Sequence, residues 1–219
     1  MDAVLKKQCG LSLAEYCVAD LDFFAGSGRE ETYLFGTLPK ILLYNDPLSG
    51  FYDGILQEYD LTHKIRECRS LLDAIRNKCC GPERKMLEVL GPLCDVLEIK
   101  WDLGLRIRKA YREQNAHSLR TIAEKNIPEL IGRLLILKSV FFEQWMGENK
   151  SNGFQTHDLR IGGLAERLST VSKLLISYLD GDIAEISELD EELLPMNEDA
   201  ALDMLLWTTW KRIHSIYVM

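Results

Sequence analysis

The sequence predicts an all-α protein, a helical bundle with an irregular N-terminal third and an extended C-terminal tail. Three observations carry that prediction. From Leu61 onward, apolar residues recur at three- and four-residue steps, the period of one helix face. Leu164, Leu168, Val171, Leu175 and Tyr178 follow 4-3-4-3 spacing, the seam of antiparallel helix packing. Glycine and proline fall between these runs, at Gly81-Pro82, Gly147–Gly153 and Gly181, where helices should stop. The 219 residues read as one helical domain: an irregular segment over 1–59, a bundle over 60–207 and a tail over 208–219.

In the first third, Leu11–Phe24 is predicted as a helix, because Ser12 and Glu15 stand at capping-box spacing. Residues 25–31, AGSGREE, read as a loop. The apolar run KILLY, Lys40–Tyr44, stops at Asn45-Asp46-Pro47, where proline restricts the residue before it. Turns follow to about Tyr59.

The next helix carries Ile65, Cys68, Leu72 and Ile75 and ends at Gly81-Pro82. After it, Met86, Leu90, Leu93, Leu97, Trp101 and Leu105 form one stripe, with a kink or break expected at Gly91-Pro92. Arg106, Arg108, Lys109 and Arg112 crowd its end, where cations suit the helix dipole. Ser118 is the expected N-cap of the following helix and Pro128 an expected kink within it. The most apolar run, Leu130–Phe142, is too short to span a bilayer and carries Arg133 and Lys138, so it reads as a core helix. Asn152-Gly153 makes the turn into the 4-3-4-3 helix, whose expected N-cap is Asp158. Ile183, Ile186, Leu189 and Leu193 begin an acidic amphipathic segment before Pro195. Ala200–Trp207 reads as a short helix, and the β-branched, aromatic stretch Trp210–Met219 as extended.

Charge narrows the function. Lys plus Arg is 26 against 34 for Asp plus Glu, a formal net charge of −8. That disfavours nucleic acid and anionic membrane surfaces as partners. The six cysteines include no CxxC, and no secretory signal is visible, so reduced thiols and a cytoplasmic location are expected. The four histidines include no i,i+4 pair and no HExxH, so no metal and no cofactor is expected. GxSxG and the phosphate-loop pattern are absent. Asp190-Glu191-Glu192 lies on the polar face of its segment and reads as a solvated acidic run. The four tryptophans stand in or beside apolar helical patterns and read as packing residues.

One stretch couples a helix end, a turn and a helix start: WMGENKSNGFQTHDLRIGGLAERL, Trp145–Leu168. Within it Glu148, Asn149, Lys150, Asp158 and Arg160 are the expected residues of an interhelical lock. Arg160 has Asp158, Glu148 or a partner's carboxylate as its candidate acids. Gly162-Gly163 inside a helical pattern implies close approach of another backbone.

This stretch resembles the C-terminal helical domain of a subgroup of family 20 glycoside hydrolases, bacterial β-N-acetylhexosaminidases that release terminal GlcNAc or GalNAc. PKILLYNDPLSGFYD (39–53) resembles the segment after the catalytic barrel, KWDLGLRIRKAY (100–111) a middle helix, and WTTWKRIHSIYV (207–218) the C-terminal end. The four matches occur in the expected order. The family's catalysis is implied to need an adjacent Asp-Glu pair on a barrel strand. Here Asp190-Glu191 has no strand–helix alternation around it, and a barrel of ~200 residues does not fit beside the helices. No catalytic residue is carried over. The resemblance implies a non-catalytic domain that supports a (β/α)8 barrel or a homodimer partner. The expected contacts are Tyr44, Asn45 and Asp46, then Trp210 and Arg212. The alternative is a free-standing helical protein-interaction module.

Overall fold

In the computed structural model, which describes residues 1–21, 38–81 and 83–193, the described chain is helical and contains no strand. The N-terminal third is assembled from short pieces: α1 (Asp2–Cys9), α2 (Leu13–Cys17), a 3-10 turn (Val18–Asp20), α3 (Leu38–Tyr44) and α4 (Asp53–Leu56). The predicted capping box is present. Ser12 Oγ accepts from Glu15 N, and Glu15 Oε2 accepts from Ser12 N at 2.8 Å. The helix it starts is shorter than predicted, because Leu21 takes a left-handed conformation (φ 53°) and closes the 3-10 turn.

The bundle proper is α5 (Thr62–Lys78), α6 (Glu83–Lys100), α7 (Leu103–Arg112), α8 (Ala116–Thr121), α9 (Ile127–Glu148) and α10 (Gln155–Leu179), followed by the single turn α11 (Ser187–Asp190). α6 is central and packs against α5 and α9, and α9 packs against α10. Ile65, Leu72 and Ile75 of α5 face the core, as the spacing predicts. So do Leu164, Leu168, Val171 and Leu175 of α10. Tyr178, the last seam residue, lies against Tyr111 with ring centroids 4.9 Å apart. Burying one such aliphatic side chain contributes about 1.5–3 kcal/mol, so the α10 seam alone outweighs any single polar contact.

Four local expectations are corrected. α6 runs through Gly91-Pro92 and breaks at Trp101-Asp102. Pro92 removes one N–H bond and crowds the preceding turn without ending the helix, whereas the break is held by Arg106, which donates to Asp102 Oδ1 (2.9 Å) and to the Ile99 carbonyl (2.8 Å). The cap of α8 is Asn115, whose Oδ1 accepts from Ser118 N at 3.0 Å, so Ser118 is the capped residue. Asp158 is not an N-cap. It lies in the first turn of α10, after Phe154, where its charge suits the helix dipole. The 183–193 segment is helical only over Ser187–Asp190. Three of its carbonyls are taken by Arg108 instead of by helix amides.

Pro128 leaves a wider turn. Residues 122–126 form a π-helical segment, and Ile127 N bonds to the Ile122 carbonyl five residues back. The Ala123 carbonyl would next pair with residue 128, which has no N–H. Ser172 Oγ of α10 donates to it instead, at 2.9 Å. The expected loop over 25–31, the short helix over 200–207 and the tail over 208–219 lie outside the described residues.

Candidate functional site

The segment Asn45–Gly50 between α3 and α4 ends up beneath α7 and α10, and its polar side chains are used inside the chain. Asp46 Oδ1 accepts from Leu48 N (2.9 Å) and Ser49 N (3.0 Å), which bends the segment into a turn. The same carboxylate receives Arg167 of α10 in two bonds, 2.6 Å from Nε and 3.1 Å from Nη2. Burial pushes the Asp46 carboxyl up, but Arg167 and the two backbone donors outweigh it and hold its pKa at about 2.

Asn45 is buried. Its Nδ2 donates to Asp53 Oδ1 at 2.7 Å and its Oδ1 accepts from Tyr52 N at 3.2 Å. Its carbonyl accepts from Lys100 Nζ at 2.5 Å, and the Leu42 carbonyl is 3.4 Å from the same nitrogen. Lys100 is only 2% exposed, at the end of α6, and full burial pulls its ammonium down to about 8 against the attraction of Asp53, Asp46 and Asp102. Burial raises Asp53 in the opposite sense. Among the described residues its Oδ2 has no hydrogen-bond partner, and it lies against two glycines. A Cβ on Gly104 of α7 would stand 2.7 Å from that oxygen, and one on Gly50 2.5 Å. Gly50 also has φ +59°, which favours glycine.

Arg108, one turn after Gly104, completes this buried set. Its two Nη atoms donate to four carbonyls: Leu48 (2.8 Å), Glu188 (3.0 Å), Leu189 (2.9 Å) and Glu191 (2.8 Å). Tyr111 OH donates to Asp190 Oδ2 and accepts from Ile186 N, both at 3.1 Å. A guanidinium therefore fastens the 186–191 strap and the Asn45 segment to one face of α7.

The expected lock residues are placed around a different cluster. Asp158 pairs with Lys138 of α9 at 2.9 Å, and no carboxylate of a described residue lies within ion-pair distance of Arg160. Glu148 accepts from Gln144 at 2.5 Å, Asn149 N bonds the Trp145 carbonyl, and the Lys150 carbonyl accepts Trp145 Nε1 at 2.9 Å. The α9–α10 corner is held by aromatic packing, with His157 4.6 Å from Phe141 and 5.3 Å from Trp145, centroid to centroid. Burial lowers the His157 imidazole. Among the described residues the close approach expected at Gly162-Gly163 is absent: a Cβ on either glycine meets none of their atoms within 4 Å. Tyr44 is half-buried, and Trp210 and Arg212 lie outside the described residues.

Lys100, Asp53 and Arg167 are not among the expected site residues, and in the sequence Arg108 is one of several dipole-favouring cations. A signal was present. Lys100 and Arg108 sit in phase with Val96, Leu97, Gly104 and Ile107, all buried, so a helical wheel places both cations inward.

What this arrangement can do chemically is limited. Glycoside hydrolysis needs a protonated acid beside a second carboxyl across an enclosed bond. Asp190 and Glu191 are exposed, and Glu191 contributes its backbone carbonyl to Arg108. A groove of about 510 Å³ beside α7 and α8 is lined by Arg106, Lys109, Ala110, Asn115, His117 and Ile122 among others, and no Phe, Tyr or Trp of the described residues is on its wall. Trp101 is buried and donates to Thr62 Oγ1. Among the described residues, no three metal-ligating side chains come together, and no helix is long and apolar enough to cross a membrane.

A family model described as the Glycoside Hydrolase 20C C-terminal domain matches residues 18–207. No curated protein matches the chain.

Proposed function

Because the chain belongs to the glycoside hydrolase 20C C-terminal domain family, we propose that it is a non-catalytic helical domain of a β-N-acetylhexosaminidase, one that supports the catalytic barrel. The observation that carries this reading is where the buried charge goes. Lys100 and Arg108 donate to backbone carbonyls, and the Asn45 side chain donates to Asp53. A catalytic site leaves such groups facing a substrate-sized space; here they tie loops to helices. The domain's work on this reading is mechanical: a rigid bundle that presents its N-terminal segment and outer faces to the barrel.

The test is hydrolysis of a chromogenic β-N-acetylglucosaminide by the purified chain. The expected rate equals that of buffer. Turnover that Glu191→Gln abolishes would overturn the proposal.

A further inference from the structure

Three of the six cysteines meet where α1 ends against the end of α5. Cys9 is the last residue of α1, and Cys79 and Cys80 directly follow α5. Cys9 and Cys79 are buried, whereas Cys80 is exposed. Cys80 N donates to the Cys9 carbonyl at 3.2 Å. Standard backbone lengths then hold the two Cα atoms within about 7 Å, a span that a disulfide bridges. The side chains lie at the same joint. A Cβ on Gly10 would stand 3.6 Å from Cys80 Sγ, and one on Gly81 would stand 3.2 Å from Cys9 Cβ.

An accessible thiol with a second thiol held beside it turns oxidation into a disulfide, because the first sulfur meets the oxidant and the second resolves it. Cys9 suits the second role. It is 0% exposed, and its Sγ donates to the Leu5 carbonyl at 3.2 Å, so an oxidant in solution meets Cys80 first. Cys79 is a poorer partner. Its sulfur accepts from the Gly81 N–H, and burial pushes its thiol up. A bond to its sequence neighbour would also twist the peptide between them away from planarity. Cys94, near Cys68, lacks the accessible sulfur. It is 1% exposed, and burial pushes its thiol up to about 12, which withholds the reactive thiolate.

We propose that Cys80 is a thiol that senses hydroperoxides and that Cys9 resolves it, so that oxidation staples α1 to the end of α5. First the Cys80 sulfur attacks one oxygen of hydrogen peroxide and the O–O bond breaks. The sulfur becomes a sulfenic acid, and the other oxygen leaves as water with the thiol proton. Then the Cys9 sulfur attacks the Cys80 sulfur and the S–OH bond breaks. The hydroxide leaves with the Cys9 proton as a second water. Two thiols have given two electrons to one peroxide. The ion pair that joins α2 to α5, Lys78 with Glu15 at 2.7 Å, is exposed and contributes little. A staple that closes the long span from 9 to 80 restricts the unfolded chain and so stabilises the fold.

The test treats the reduced chain with hydrogen peroxide and then caps the remaining thiols by alkylation. Peptide mapping should find Cys9 joined to Cys80 and two of the six thiols lost. The thermal midpoint should rise by several degrees and return with dithiothreitol. Cys80→Ser, at an exposed position, should abolish both the disulfide and the shift. Cys17→Ser, also exposed, should leave both intact. Cys80 carried on to sulfinic acid without a disulfide overturns the proposal. So does a Cys80 pair between two chains, a bond from Cys80 to Cys79, or six thiols that survive the peroxide.

Discussion

Asp46 joins the N-terminal segment to α10 through Arg167, and its pKa gives the sign of the effect. The folded value of about 2 lies below the ordinary carboxylate value, so the ionised form is favoured by folding. That stability is present above the unfolded pKa and is lost as pH falls through the folded one. With both partners about one-third exposed, roughly 1–2 kcal/mol is expected at pH 7. Urea unfolding of Asp46→Asn should show a deficit of that size at pH 7, closing toward zero near pH 2. Lys100 behaves in the opposite way. Its folded pKa of about 8 lies below the unfolded one, so its burial costs stability while it is charged and the cost fades as pH rises from 8 to about 10.5. The stability of wild type relative to Lys100→Met should therefore improve across that range, by about 3 kcal/mol. Neither residue stands out by composition. Lys100 is betrayed only by its phase, and the sequence gives no hint that Arg167 crosses to Asp46, 121 positions away.

Elements were legible where one helix face is buried and blurred where side chains settle the backbone. The seam of α10 and the stripe of α5 follow from spacing, because burying aliphatic surface outweighs local preferences. The ends of α6 and α8 do not. Their boundaries depend on Arg106 reaching back to Ile99 and on Asn115 preceding Ser118 as a cap, and both are choices among several eligible polar residues. The glycines separate these cases experimentally. Gly163→Ala enters open space in a helix and should stabilise by about 0.5–1 kcal/mol. Gly104→Ala drives a methyl against Asp53 Oδ2 and should cost about 1–3 kcal/mol. Thermal melts of the two variants should shift in opposite directions. Ser172→Ala strips the Ala123 carbonyl of its donor beside the π-helical turn and should cost about 1–3 kcal/mol, read by the same melts.

At the scale of the molecule, α7 joins two outlying segments to the bundle. Through Arg108 and Tyr111 it gathers the Asn45 segment and the 186–191 strap onto one face. Arg108→Leu should release that strap, so limited proteolysis should cut between Asp182 and Leu193 many times faster than in wild type, while α9 and α10 stay protected. The fold class could be read from periodicity. The buried ion network could not, because it joins residues far apart in sequence. Family membership supplies the context that these side chains lack. On the function proposed above, a bundle whose buried cations bond its own backbone would serve as a support for a catalytic barrel. The most direct measurement is a titration of a family 20C catalytic barrel, prepared without its helical domain, with this chain, following the barrel's thermal midpoint. Saturable binding and a midpoint raised by several degrees are expected, with turnover arising only from the barrel. A midpoint that does not move at saturating chain would contradict the proposed support.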